Sequence, residues 1–250
     1  LGVQQLTLSL LDEGTVSRDS IAIAEERERL GVSFGDGTSA DRTFLSASFP
    51  SANVAGGLDL FADVVRNPAF RAEEVARLRN TQLAGIQQEL TNPQGLAGRV
   101  LPKLVYGAAS PYAKTAAGGG DPAAVAKLTR DDLVAFQQAW LRPEKAKMFV
   151  VSDLPLAQVK AMLDARFGDW TGVGTAGVKD FSVAAVQATP RIVLIDRPDS
   201  PQSVIVAGQL TPLKGSDDLL DAEVANDVLG GDFLSRINMD LRETKHWSYG

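Results

Sequence analysis

The chain has 250 residues, 44% of them hydrophobic, which is enough apolar material for one large domain or two smaller ones. A formal charge of −6, with Lys and Arg dispersed along the chain, argues against a nucleic-acid partner, because a phosphate-binding face needs clustered cations. With no Cys and a single His, His246, neither disulfides nor multi-histidine metal sites can form, and no apolar run reaches the length of a membrane span.

Leu6, Leu8, Leu10 and Leu11 form a short apolar segment, read as a helix end broken at Gly14. A helix is predicted over 20–30, capped by Ser17 or Asp19, with Ile21, Ala24 and Leu30 inside and Gly31 as its stop. Segments 32–35 and 42–49 follow around a Gly-rich turn. Leu45, Ala47 and Phe49 alternate with Phe44, Ser46 and Ser48, which predicts an antiparallel hairpin. Apolar residues at helical spacing then predict helices over 53–66, 73–90 and 94–105, with Pro68 and Pro93 at the breaks.

The stretch 110–122 reads as a loop, and Thr129 as the cap of a helix running to Trp140. A strand at 147–152 precedes a helix at 156–167. Scattered Gly, Ala and Val over 171–190 suggest a linker. Strands at 191–196 and 203–209 and helices near 217–229 and 233–242 complete the chain. Hairpin, helices and returning strands in this order indicate an α+β fold.

Several motifs have plain structural readings. Gly118, Gly119 and Gly120 lack the Gly-Lys-Ser/Thr that completes a phosphate cradle, so they read as a flexible loop. The charges at 25–29 form a solvated helix face, and the Asp12-Glu13 and Asp131-Asp132 pairs read as caps or exposed carboxylates. Gly230 and Gly231 allow a close helix turn.

The most specific stretch is 226–250. It contains an LGG-x-F-x-SR-x-N run, then Leu241-Arg242-Glu243 and Ser248-Tyr249-Gly250. It resembles the pitrilysin/insulinase family of zinc metallopeptidases, whose clan includes the mitochondrial processing peptidases and the core proteins of respiratory complexes. Leu11 to Thr15, Asn67-Pro68-Ala69-Phe70 and Ser110-Pro111-Tyr112 resemble further family blocks, and 191–202 resembles the opening strand of a second repeat. The resemblance implies an α+β fold of two similar repeats, each an antiparallel sheet with helices mainly on one face. The expected division is 1–170 for the first repeat, 171–190 for a linker and 191–250 for the start of the second. Both repeats are expected to be truncated in a fragment that has no signal peptide.

Catalytic members carry an inverted H-x-x-E-H motif with a third Glu ligand further along. Histidines one turn apart hold the metal, and the intervening Glu activates water. By the resemblance the two His positions fall on Gln5 and Ser9, the base position on Leu8 and the third ligand near Gly85. None of these side chains can serve, so the resemblance implies no metal on this chain and zinc on a partner half or subunit bearing H-x-x-E-H.

Active members also supply an Arg and a Tyr seven residues apart from the zinc-free half, and Arg242 and Tyr249 match that spacing. The resemblance gives Tyr249 a hydrogen bond to the scissile carbonyl oxygen and Arg242 a hold on the substrate backbone. Residue type alone gives a different reading, with Arg242 as a cation at a helix C-terminus and Tyr249 as a core-edge aromatic. His246-Trp247 departs from the family, which more often has Gly followed by an apolar residue, and His246 reads as a loop or interface residue. Two functions follow: the zinc-free half of a peptide-cleaving metalloendopeptidase, or a structural relative without catalysis. A periplasmic setting is favoured by analogy alone.

Overall fold

The computed structural model describes residues 2–115, 119–180, 189–211 and 218–250. Helices α1 (Val3–Ser9) and α2 (Ser20–Leu30) lead into the hairpin β1 (Ser33–Thr38) and β2 (Thr43–Ser48). Then come α3 (Val54–Arg66), α4 (Ala72–Thr91), α5 (Pro93–Tyr106), α6 (Pro111–Thr115), α7 (Pro122–Val125), α8 (Arg130–Trp140) and α9 (Leu156–Phe167). The described chain ends with α10 (Asp218–Asn226) and α11 (Arg236–Asn238). It is a mixed fold of helices with a small two-stranded antiparallel sheet among the described residues.

Local chemistry explains the boundaries. Asp19 caps α2, accepting from the Ala22 amide at 2.8 Å, and Gly31 closes it at φ +65°, a conformation that costs glycine nothing. Thr129 and Asp132 form a reciprocal capping box at the start of α8. Asn92 caps α5, whose first residue, Pro93, has no amide hydrogen to leave unsatisfied.

The hairpin register pairs Ser33 with Ser48 and Thr38 with Thr43, so the reversal is made by Ser39 to Arg42. Gly35 lies in the ladder as expected, and Gly37, expected in the turn, lies there too.

The core is built on α1. Leu6, Leu8, Leu10 and Leu11 are all buried and join Ile23, Leu60, Val64, Phe70, Val75 and Leu133 in one cluster. In α2 the inward residues are Ile23 and Leu30, one face at i,i+7, whereas Ile21 is 67% exposed. The Gly14-Thr15 and Asn67-to-Phe70 blocks lock together. The Val16 amide donates to the Asn67 carbonyl at 3.0 Å, and the Ala69 amide to the Gly14 carbonyl at 2.9 Å. Thr15 and Ser17 both donate to the Asp63 carboxylate.

Two expectations need correction. The stretch 110–122 contains the short helix α6 and the first residue of α7; of its three glycines, Gly118 lies outside the described residues. Residues 147–152, 191–196 and 203–209 have no ladder partner among the described residues, and a strand exists only through its ladder. Their period-2 character survives as alternating exposure, with Ile192 and Leu194 far more exposed than Val193 and Ile195.

Finally, 171–180 is strapped down. Arg142 donates to the Val173 carbonyl at 2.7 Å, Lys145 to the Gly177 carbonyl at 2.9 Å, and the Gly177 amide to the Ala139 carbonyl at 2.8 Å. The rest of the expected linker, 181–188, lies outside the described residues.

The chain divides into two compact units, Leu1–Gly208 and Gln209–Gly250. In the second, the helical path widens into π-helical turns at Asp227–Gly231 and Met239–Thr244. Among the described residues, no helix is long and apolar enough to cross a membrane.

Candidate functional site

The first unit brings together the three positions expected to ligate metal. Gln5 and Ser9 are one turn apart on one face of α1, and Gly85 faces them from α4. Together they line a cavity of about 180 Å³, whose other walls include Leu6, Leu78, Thr81, Gln82, Ile86, Glu89 and Gly119. Leu8 is absent from this lining and sits in the core at 2% exposure.

The donor set does not fit zinc. Gln5 and Ser9 offer a neutral amide and a hydroxyl, Gly85 offers nothing, and Leu8 stands where a general base would be needed. The one carboxylate at the cavity, Glu89, is taken up by Arg99 at 2.6 Å and by the Gly119 amide at 3.4 Å. The Gln82 amide is likewise committed, donating to the Gly2 and Gly119 carbonyls at 3.1 and 2.5 Å. Among the described residues no group of three or more His, Cys, Asp or Glu side chains is placed to hold a metal.

Gly85 itself is conspicuous. It lies inside α4, and a Cβ built there meets nothing within 4 Å. A helix-interior glycine costs about 0.5–1 kcal/mol relative to alanine, so Gly85→Ala is expected to raise stability by that amount in thermal denaturation.

The second unit brings Arg242 and Tyr249 together. Arg242 lies on the π-helical turn Met239–Thr244, which the Lys245, His246 and Trp247 amides close by donating to the Asp240, Arg242 and Leu241 carbonyls. His246 then adopts φ +57° and reverses the chain. Left-handed backbone is the conformation that favours glycine, so a histidine here is held at a cost. After the reversal the Arg242 guanidinium carbon lies 4.8 Å from the Tyr249 ring centroid and 4.4 Å from that of Phe233. Arg242 also pairs with Glu243 at 3.3 Å.

Phe233 is a member of this cluster that sequence reasoning missed, although it sits inside the quoted LGG-x-F run. Its ring and the Tyr249 ring both hold the guanidinium by cation–π attraction, worth about 0.5–1 kcal/mol each at exposed sites. Arg242 is thereby partly buried, whereas Tyr249 is 88% exposed with its phenol open to an incoming group. π-Helical turns concentrate at functional positions in proteins generally.

Comparison with known proteins gives a consistent picture. The family model described as "Insulinase (Peptidase family M16)" matches residues 2–111, and that described as "Peptidase M16 inactive domain" matches 127–250. An uncharacterized zinc protease of Mycobacterium tuberculosis is 24% identical over 241 residues, 96% of this chain and 54% of its own length. A non-peptidase homolog of Helicobacter pylori is 24% identical over 254 residues, 100% of this chain and 56% of its own. The crystal structure of a peptidase M16 inactive domain from Pseudomonas fluorescens superposes with a TM-score of 0.79 at 28% identity, covering 100% of this chain and 60% of that one. The chain therefore spans a little over half the length of the curated relatives it matches.

Proposed function

The chain belongs to the insulinase (peptidase M16) family, and from that premise we propose that it is the zinc-free half of a zinc metalloendopeptidase. In this reading a partner half or subunit bearing H-x-x-E-H holds the metal. This chain contributes Arg242, Tyr249 and a peptide-binding surface. Residues 171–190 link the first repeat, 1–170, to the start of the second, 191–250, and an unfolded peptide binds as an added strand at a sheet edge.

The observation that carries the reading is the cluster of Arg242, Tyr249 and Phe233. Tyr249 presents an O–H donor for the scissile carbonyl oxygen, where negative charge grows as the carbonyl becomes tetrahedral. Arg242, held between two rings, arrives with its fork already oriented for substrate carbonyls, which lowers the entropy lost on binding. The metal supplies Lewis-acid chemistry from the partner; this chain's residues position the peptide and stabilise charge.

A second reading keeps the fold without the catalysis. The same stacking of Arg242 on two rings can serve packing alone, and the Helicobacter pylori relative is named a non-peptidase homolog. Peptide hydrolysis by the native assembly, wild type against Tyr249→Phe and Arg242→Ala, separates the two. Loss of turnover with folding and zinc content preserved supports the peptidase half. An active wild type indifferent to both changes supports the structural relative.

A further inference from the structure

We propose that Asn238 is a positioning residue for Arg242, acting through Phe233. The inference rests on the reading of Arg242 as the group that holds the substrate backbone, and it names what holds Arg242.

The way Arg242 is held decides what it can still do. Its guanidinium carbon lies 4.4 Å from the Phe233 ring centroid and 4.8 Å from that of Tyr249, and its Nε pairs with Glu243 at 3.3 Å. An aromatic ring attracts the charge without taking a hydrogen bond as a carboxylate or carbonyl would, so the Nη donors stay available to substrate carbonyls. The guanidinium is then placed only as well as the two rings are.

No core places them. In the second unit Ser235 alone among the described residues is buried, and Phe233 is 55% exposed. Phe233 is fixed through its backbone instead. Its amide donates to Asp232 Oδ1 at 2.6 Å, and its carbonyl accepts from Asn238 Nδ2 at 2.6 Å. The second bond matters more, because it ties Phe233 to the helical path that carries Arg242.

Asn238 ends α11, one turn before Arg242 on the π-helical stretch Met239–Thr244. Its own amide is anchored on the buried Ser235, donating to Oγ at 3.4 Å. The other end of its side chain faces the segment of the second ring: a Cβ built on Gly250 would lie 4.0 Å from Asn238 Oδ1. One side chain therefore stands where both ring-bearing segments converge on the turn that bears the arginine. Without it, substrate must order Arg242 on binding, and immobilising one such side chain weakens binding about two- to tenfold.

The test has two readouts. The first needs no substrate: in native protein carrying isotope-labelled arginine, the Arg242 Nε–H resonance, identified by its loss in Arg242→Lys, reports the nearby rings. Asn238→Leu removes the amide with a good helix former of similar size, and Asn238→Ala, which cannot clash, repeats the measurement if the larger side chain lowers the melting temperature. Both should move the resonance toward that of an arginine with no ring beside it, as should Phe233→Leu. The second readout is hydrolysis by the native assembly. Asn238→Leu and Phe233→Leu should each raise KM about two- to tenfold, more than they lower kcat, and Phe233→Tyr should restore what Phe233→Leu loses. In an Arg242→Ala background Asn238→Leu should have no further effect on KM.

An unmoved resonance in both Asn238 variants, or a KM effect of equal size in the Arg242→Ala background, overturns the assignment. The underlying reading fails separately. If the resonance moves while hydrolysis ignores Arg242→Ala, Asn238 positions Arg242 but the peptidase half falls. If hydrolysis needs Arg242 while the resonance stays in place, the peptidase half stands without this residue.

Discussion

Replacing Tyr249 by Phe is expected to lower peptide turnover by the assembled peptidase by about 10²–10³-fold, the loss seen when one donor to a developing oxyanion is removed. The phenol O–H is the only group deleted, and the ring that stacks on Arg242 at 4.8 Å is retained. The effect is therefore confined to charge stabilisation. An interaction made only in the transition state lowers kcat and kcat/KM together, so KM should hardly move. Because Tyr249 is 88% exposed, the substitution should leave the melting temperature in place, as surface changes do. Arg242→Ala should differ in kind, raising KM as well, since its proposed role is to hold the substrate backbone.

The second large effect falls on stability. Asp63 collects hydrogen bonds from Thr15 Oγ1 at 2.7 Å, Asn67 Nδ2 at 3.0 Å and Ser17 Oγ at 3.1 Å, and it pairs with the Arg18 guanidinium. Thr15 is fully buried, so Asp63→Ala leaves its hydroxyl without its carboxylate acceptor and removes the side-chain part of the link between two family blocks, whose backbone bonds remain. The expected cost is about 3 kcal/mol, discounted for the partial exposure of Arg18, and is readable as a lower urea midpoint at constant slope.

The same network sets a pH dependence. Burial alone would raise the Asp63 carboxyl, but hydrogen bonds from Asn67, Thr15, Ser17 and Arg18 overcome it and hold the group below the usual carboxylate range. A carboxyl whose folded pKa is depressed contributes stability that is complete above its unfolded pKa of about 3.9 and is lost as pH falls through the folded value. The wild type should therefore lose stability below about pH 4 more steeply than Asp63→Ala. Equal acid sensitivity of the two proteins would remove Asp63 from this role.

The helices were legible because their punctuation is local. Asp19 and Gly31 bound α2, Thr129 and Asp132 open α8, and Pro93 starts α5, each acting within a turn of the residues it controls. The inward face of α2 was misread because Ile21 and Ile23 offer two stripes, and only packing against the core selects Ile23. The segments 147–152, 191–196 and 203–209 have strand-like alternation, but a ladder depends on a partner that a local pattern cannot supply.

At the candidate site the convergence of Gln5, Ser9 and Gly85 was legible through motif spacing, since i,i+4 residues share a helix face. What spacing could not convey was that the vacated ligand positions line one open cleft. Nor could it show that Phe233, nine residues before Arg242, completes the guanidinium's aromatic cage.

The most direct measurement is complementation: peptide hydrolysis by the H-x-x-E-H half alone and with this chain added, at equal zinc content. If the chain is the zinc-free half of a peptidase, turnover appears, or rises by orders of magnitude, only when it is present, and chain carrying Tyr249→Phe fails to restore it. Full hydrolysis by the zinc half alone, unchanged when this chain is added, would contradict that role.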